Sequence, residues 1–154
     1  QGPFLKSVLE RLSHCCGGEP DLLSRIVAKS SLISIDNAHG VHPNYLERHD
    51  DKHRPVLNAG PVIKLNANQR YASNSHSVAL FKSICDTVKV PHQSFVMRND
   101  MACGSTIGPI TSAETGINTI DVGVPTFAMH SIRELAGSQD AYDLYKVINS
   151  FYSR

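Results

Sequence analysis

Short apolar runs that alternate with amphipathic stretches constrain this chain more than any other feature. Ser31 to Ile35, Pro61 to Leu65, Gln93 to Arg98 and Ile117 to Val122 read as strands, and Pro125 to Met129 is a further apolar segment. Each is short and bounded by turn-forming residues. Around them, apolar residues recur at helical spacing. Phe4, Leu5, Val8, Leu9 and Leu12 make one such stripe, stopped by Gly17-Gly18. Pro20 opens a second short helix with Leu22, Leu23, Ile26 and Val27. Asn74 can cap a third, with Val78, Leu80, Phe81, Ile84, Cys85 and Val88 on its face. Thr106 to Thr115 reads as a helix closed by Gly116, and Ser131-Ile132-Arg133-Glu134 has the pattern of a capping box, which predicts a helix directly after His130. A last helix follows Ser138, with Ala141, Leu144, Tyr145, Ile148, Phe151 and Tyr152 on one face. Strands separated by helices predict an α/β fold with a mostly parallel, helix-covered sheet.

The length of 154 residues suits one core, and no apolar run reaches a membrane span. With 15 basic against 14 acidic residues the net charge is +1, which argues against an electrostatic grip on nucleic acid or an anionic membrane. Cys15, Cys16, Cys85 and Cys103 lack zinc-site spacing and read as reduced thiols of a cytoplasmic protein. Residues 1–3, Gln-Gly-Pro, read as a possible junction sequence and are set aside from the fold.

In parallel sheets, ligands collect beyond the carboxyl ends of strands. Asp36 follows the run Leu32-Ile33-Ser34-Ile35, and His130 follows Pro125 to Met129. A carboxylate and an imidazole at such ends suit a shared zinc ion. Asp36 is otherwise a cap or surface ion pair, and His130 a satisfied core histidine. The stretch from 37 to 59 is polar, rich in histidine and long for an internal loop. Within it His39 could donate a hydrogen bond to a developing oxyanion, or simply face solvent. Gly40 and Pro43 disfavour a helix that would let His39 and His42 chelate together. Lys64 sits inside an apolar strand; alternation favours its pointing outward, but turned into a cleft it could hold a substrate carboxylate, with Tyr71 adding a hydroxyl. The Gly, Ser and Thr-rich run from Arg98 to Pro109 could cradle an anion at a helix start, and lacks the phosphate-loop pattern. Cys103 paired with His130 as a hydrolytic nucleophile lacks an orienting third residue.

The strings ISIDNAHGVHPNY, HRPVLNAGPVIKLNANQRYASNS, RNDMACGSTIGPI and IDVGVPTFAMHSIRELAG, taken together and in this order, resemble the aspartyl aminopeptidase family. The resemblance implies a zinc-exopeptidase (phosphorylase/hydrolase-like) α/β domain that releases N-terminal Asp or Glu from peptides with two zinc ions. By the same resemblance, Asp36 and His130 are metal ligands, and Asp36, His39, Lys64 and Tyr71 contact substrate. It also implies a homo-oligomer, a dodecamer. The family's first zinc-binding His, its bridging Asp and its Glu pair, one of them the general base, have no counterpart in residues 1 to 35. Residues 4–154 are therefore expected to be the C-terminal part of a catalytic domain, with no complete catalytic set. The alternative expectation is a non-catalytic assembly or interaction segment of the same enzyme.

Overall fold

The structure is a computed structural model that describes residues 2–154. Gln1, part of the expected junction sequence, lies outside the described residues. Two helices, α1 (Phe4–Cys15) and α2 (Leu22–Ala28), pack on each other and precede strand β1 (Ser31–Ile35). Then come β2 (Ala38–His39), β3 (Val62–Leu65), α3 (Ser75–Thr87), β4 (Gln93–Val96), α4 (Ile107–Thr115), β5 (Asn118–Gly123), β6 (Pro125–Phe127), β7 (Leu135–Ala136) and α5 (Ser138–Tyr152).

The main sheet has the order β1-β5-β3-β4. β1 runs parallel to β5 and β3 parallel to β4, while the central β3–β5 pair is antiparallel through Val62–Gly123 and Ile63–Val122. A smaller sheet, β2-β6-β7, continues from it, because Asp36, Ala38 and Gly40 donate to Val122, Val124 and Thr126 along the same edge. Gly123 permits this continuation. A Cβ there would lie 1.8 Å from the Asp36 carbonyl oxygen.

Strand alternation sorts the side chains. Ile63, Ile120 and Val122 face α3 and α5, where Phe81, Ile84, Cys85 and Val147 complete the main core. The opposite alternation sends Val62 into a second cluster with Ala38, Tyr71 and Phe95. On this second side α4 lies along β5 and β1.

Local chemistry explains where several elements start and stop. Asn74 accepts from the Ser77 N–H at 3.0 Å and Ser77 Oγ accepts from the Asn74 N–H at 3.0 Å, a full capping box for α3. Gly116 ends α4 in the left-handed region, φ 78°. Two expectations are corrected. No helix follows His130: Ser131 N–H turns back to the Ala128 carbonyl, and Leu135-Ala136 pair with β6 instead. Four residues of helix signal yield to strand pairing a residue later. On α5 the buried stripe is Asp140, Asp143 and Val147, with Leu144 and Phe151 beside it, whereas Tyr145 and Tyr152 are exposed.

Candidate active site

A cleft of about 120 Å³ opens where β1 gives way to β2, and Asp36, His39, Lys64, Tyr71 and His130 all line it. The five residues singled out from the sequence thus meet at one place, although they come from four separate segments.

Lys64 is the least expected of them. It is 2% exposed, on a strand whose first three residues are all buried. The outward orientation that alternation favoured does not hold, because β3 is covered on both faces. Lys64 Nζ lies 3.8 Å from Asp36 Oδ2 and 5.5 Å from the centre of the Tyr71 ring. Burial lowers the Lys64 ammonium from its ordinary value, and Asp36, Asp121 and Cys103 oppose the shift. Burial and the adjacent Cys103 push the Tyr71 hydroxyl above its ordinary range, so it remains a neutral donor. The His39 imidazole is lowered, first by desolvation and then by His49, Lys64 and His130, with Asp36 acting the other way. A lowered value leaves His39 neutral at pH 7, able to donate from one ring nitrogen.

His130 stands in the turn after β6 with φ 69°, in the left-handed region, uncommon for residues other than glycine although Asn, Asp and His enter it more readily than most. Glu134 accepts its backbone N–H, and Ser131 closes the turn onto Ala128 at 2.9 Å. Strain of this kind persists where surrounding bonds hold it, and it concentrates at functional sites.

His42 belongs elsewhere. Its Nδ1 accepts from the Asn44 N–H at 3.1 Å to cap the 3₁₀ turns over Pro43–Arg48, and its ring meets Tyr45 and Phe127, each at 5.3 Å. The loop from Arg98 to Pro109 does not present a free helix start to a ligand either. The anion against the first turn of α4 is the chain's own Asp121, whose Oδ1 accepts from Thr106 Oγ1 at 2.6 Å.

Asp121 carries no motif that marks it in the sequence. Fully buried on β5, it also accepts from the Ala72 N–H at 2.6 Å. One carboxylate therefore ties the Tyr71 segment to the 103–106 loop, both of which line the cleft. Gly108 admits it; a Cβ there would sit 2.3 Å from Asp121 Oδ1. An acid inside the apolar run Ile117 to Val122 was the available signal. Asp140 acts similarly on the 37–60 stretch. Buried in the first turn of α5, it accepts from the Asn58 N–H at 2.7 Å and the Gly60 N–H at 2.9 Å. Gln93 adds a third fastening, exchanging hydrogen bonds with both backbone groups of Val56 and donating to the Gly60 carbonyl.

Among the described residues no group of three His, Cys, Asp or Glu side chains is placed to hold a metal ion. Asp36 and His130 supply one oxygen and one nitrogen donor at a single cleft. That pairing has the right chemistry for zinc but is one protein ligand short of a catalytic site. All four cysteines are unpaired, and no helix among the described residues is long and apolar enough to cross a membrane.

Comparison with known proteins matches residues 1–152 to the family described as aminopeptidase I zinc metalloprotease (M18). A probable M18 family aminopeptidase 2 of Pseudomonas paraeruginosa is 59% identical over 99% of this chain and 34% of its own length. The protein of the same description in Azotobacter vinelandii is 60% identical over the same shares. The chain spans about a third of the length of the curated relatives it matches. Among solved structures, a chain from the structure of the Ape4 and Nbr1 complex superposes with a TM-score of 0.94 at 47% identity, covering 98% of this chain and 29% of that one. A structure of the S. cerevisiae mApe1 dodecamer gives 0.86 at 33% identity, covering 99% and 33%.

Proposed function

This chain belongs to the aminopeptidase I zinc metalloprotease (M18) family, and we propose that the complete enzyme removes an acidic residue, Asp or Glu, from the N-terminus of peptides. Lys64 carries the reading. Its ammonium is buried in the cleft wall, with Asp36 at ion-pair distance and Asp121 acting on it from further off, already tied to the Ala72 N–H and Thr106 Oγ1. A buried cation is stabilised only by anions and hydrogen bonds around it. With Asp36 engaged by metal, a substrate side-chain carboxylate is the counter-charge Lys64 lacks, and an acidic residue is favoured over a neutral one.

The other residues divide the remaining tasks. Tyr71, held neutral, donates to the same substrate carboxylate. His39 donates to the oxyanion that develops on the scissile carbonyl. Asp36 offers oxygen and His130 nitrogen to zinc, of which the complete site takes two ions. Bound zinc polarises the scissile carbonyl and brings the pKa of its water toward neutrality. The remaining ligands and the general-base Glu belong to parts of the complete enzyme other than these 154 residues. A homo-oligomer is supported by the dodecamer among the similar structures. The four unpaired cysteines support a cytoplasmic location.

A second reading, that this segment serves assembly and not catalysis, is favoured by the missing third metal ligand among the described residues. One set of assays separates the two. The complete enzyme, with and without chelator, is offered peptides that begin with Asp, Glu, Leu or Lys. Chelator-sensitive release of Asp and Glu ahead of the others is expected. Equal rates on all four would refute the acidic preference. The 154-residue chain alone should be inactive, and robust hydrolysis by it would overturn the assignment of outside ligands.

A further inference from the structure

A second and larger cleft, about 500 Å³, lies beside the first. His39 and Phe95 line both, so they form the partition between them. Beyond the partition the wall is made by Met97, Met101 and Phe127, with His49 set among them. The volume is ample for an amino-acid side chain and its backbone.

We propose that this second cleft receives the leaving side of the peptide and selects an apolar residue at the second position of the substrate. The inference rests on the aminopeptidase reading above, which places the N-terminal side chain against Lys64 and the scissile carbonyl at His39. A chain that enters the first cleft N-terminus first and reaches His39 with its scissile carbonyl continues on the other side of His39. The floor there is apolar and adaptable, two thioethers and two phenyl rings, with Tyr45, Arg48 and Thr126 at its sides, and methionine fits side chains of varied shape.

His49 supplies an independent observation. Its ring stands edge-on to Phe95, 6.2 Å between centroids, and neither ring nitrogen has a hydrogen-bond partner although both are shut off from solvent. Buried polar atoms are nearly always paired, and an unpaired one marks a site whose partner comes from elsewhere. No contact among the described residues fixes either nitrogen, so a turn of the ring about its Cβ–Cγ bond turns one of them toward the backbone of a peptide lying along this wall.

The test uses the complete, zinc-loaded enzyme and peptides of the form Asp-Xaa-Ala-Ala, with Xaa as Leu, Phe, Gly or Asp, followed by release of the first residue. Burial of an apolar side chain predicts kcat/KM for Leu and Phe about tenfold or more above Gly. Met101→Ala, in an irregular loop where folding is little affected, should shrink the Leu-to-Gly ratio about threefold, and Phe127→Ala should shrink it further. A flat series in the wild type, or a ratio untouched by both substitutions, would overturn the proposal. Repeating the series with Leu in the first position keeps the two readings apart. Second-residue selectivity without preference for Asp would sink the acidic specificity alone; preference for Asp with a flat second position would sink the cleft assignment alone. Reduced-amide analogues of the same peptides, titrated by calorimetry, read the same ratio in binding. An enzyme that bound them without turnover would therefore still decide the matter.

Discussion

Replacing Lys64 with methionine removes a charge while keeping most of the stem that packs beside Tyr71. The magnitude follows from the geometry. Lys64 Nζ is 3.8 Å from the Asp36 carboxylate and its side chain is 3% exposed, so a substrate carboxylate held at similar range is not screened by bulk water. Two unit charges about 4 Å apart at an effective dielectric constant of about 20 attract by about 4 kcal/mol. Asp36 already engages the ammonium in this structure, so only part of that is new on substrate binding, and we take about 2 kcal/mol as the lower bound. At about 1.4 kcal/mol per tenfold, kcat/KM for an N-terminal Asp peptide should fall about 30- to 1,000-fold. An N-terminal Leu peptide, which offers no charge, should change by less than about threefold. The assay is kcat/KM for both peptides in the complete enzyme, with zinc content and melting temperature measured on the same samples. Equal losses on Asp and Leu peptides at unchanged zinc content would refute the specificity role. So would an unchanged Asp peptide.

Asp36→Asn and His130→Ala should each lower bound zinc in the complete enzyme and reduce hydrolysis by about 100-fold or more, and wild-type zinc content in either variant would remove that residue from the metal site. Gly108→Ala drives a methyl group to within 2.3 Å of Asp121 Oδ1, which should destabilise by about 1–3 kcal/mol and lower Tm by several degrees, read by calorimetry; an unchanged Tm would mean the approach is looser than described. Desolvation, with Asp86 adding to it, pushes the Cys85 thiol up to about 12, so its thiolate stays scarce until the pH nears that value. At pH 8 its alkylation should be slower than that of exposed Cys15 by about a thousandfold, and comparable labelling of the two in folded protein would contradict it.

The sequence was informative wherever the controlling interaction is local. Asn74 and Ser77 are three residues apart, and the start of α3 was readable from them. Gly116 marked the end of α4 for the same reason. The orientation of Lys64 was not readable, because it depends on β3 being covered on both faces, and nothing in Val62-Ile63-Lys64-Leu65 records what covers it. The antiparallel β3–β5 pairing is illegible in the sequence on the same grounds. Ser131 to Glu134 shows the opposite failure. Its capping pattern is genuine, since Glu134 does reach back to a backbone N–H, that of His130, but pairing of β7 with β6 claims the residues that would have continued a helix. Asp121 and Asp140 fasten amides 49 and 82 residues away along the chain, a separation at which no spacing rule operates. The five residues lining the first cleft came from strand ends and from resemblance. The wall of the second cleft, Met97, Met101 and Phe127, carried no signal until the fold assembled it.

The bonds from Asp140 to Asn58 and Gly60 also bear on timing. They join α5 to the loop that carries His39 and His49, across 82 and 80 residues of chain. A ribosome delivers the loop long before it delivers α5. Until that helix docks, two backbone amides of the loop lack their carboxylate and the walls of both clefts are unsecured. The walls of both clefts are thus secured only after α5 is made, so the loop that shapes them spends its first moments outside the ribosome without the carboxylate that later holds it.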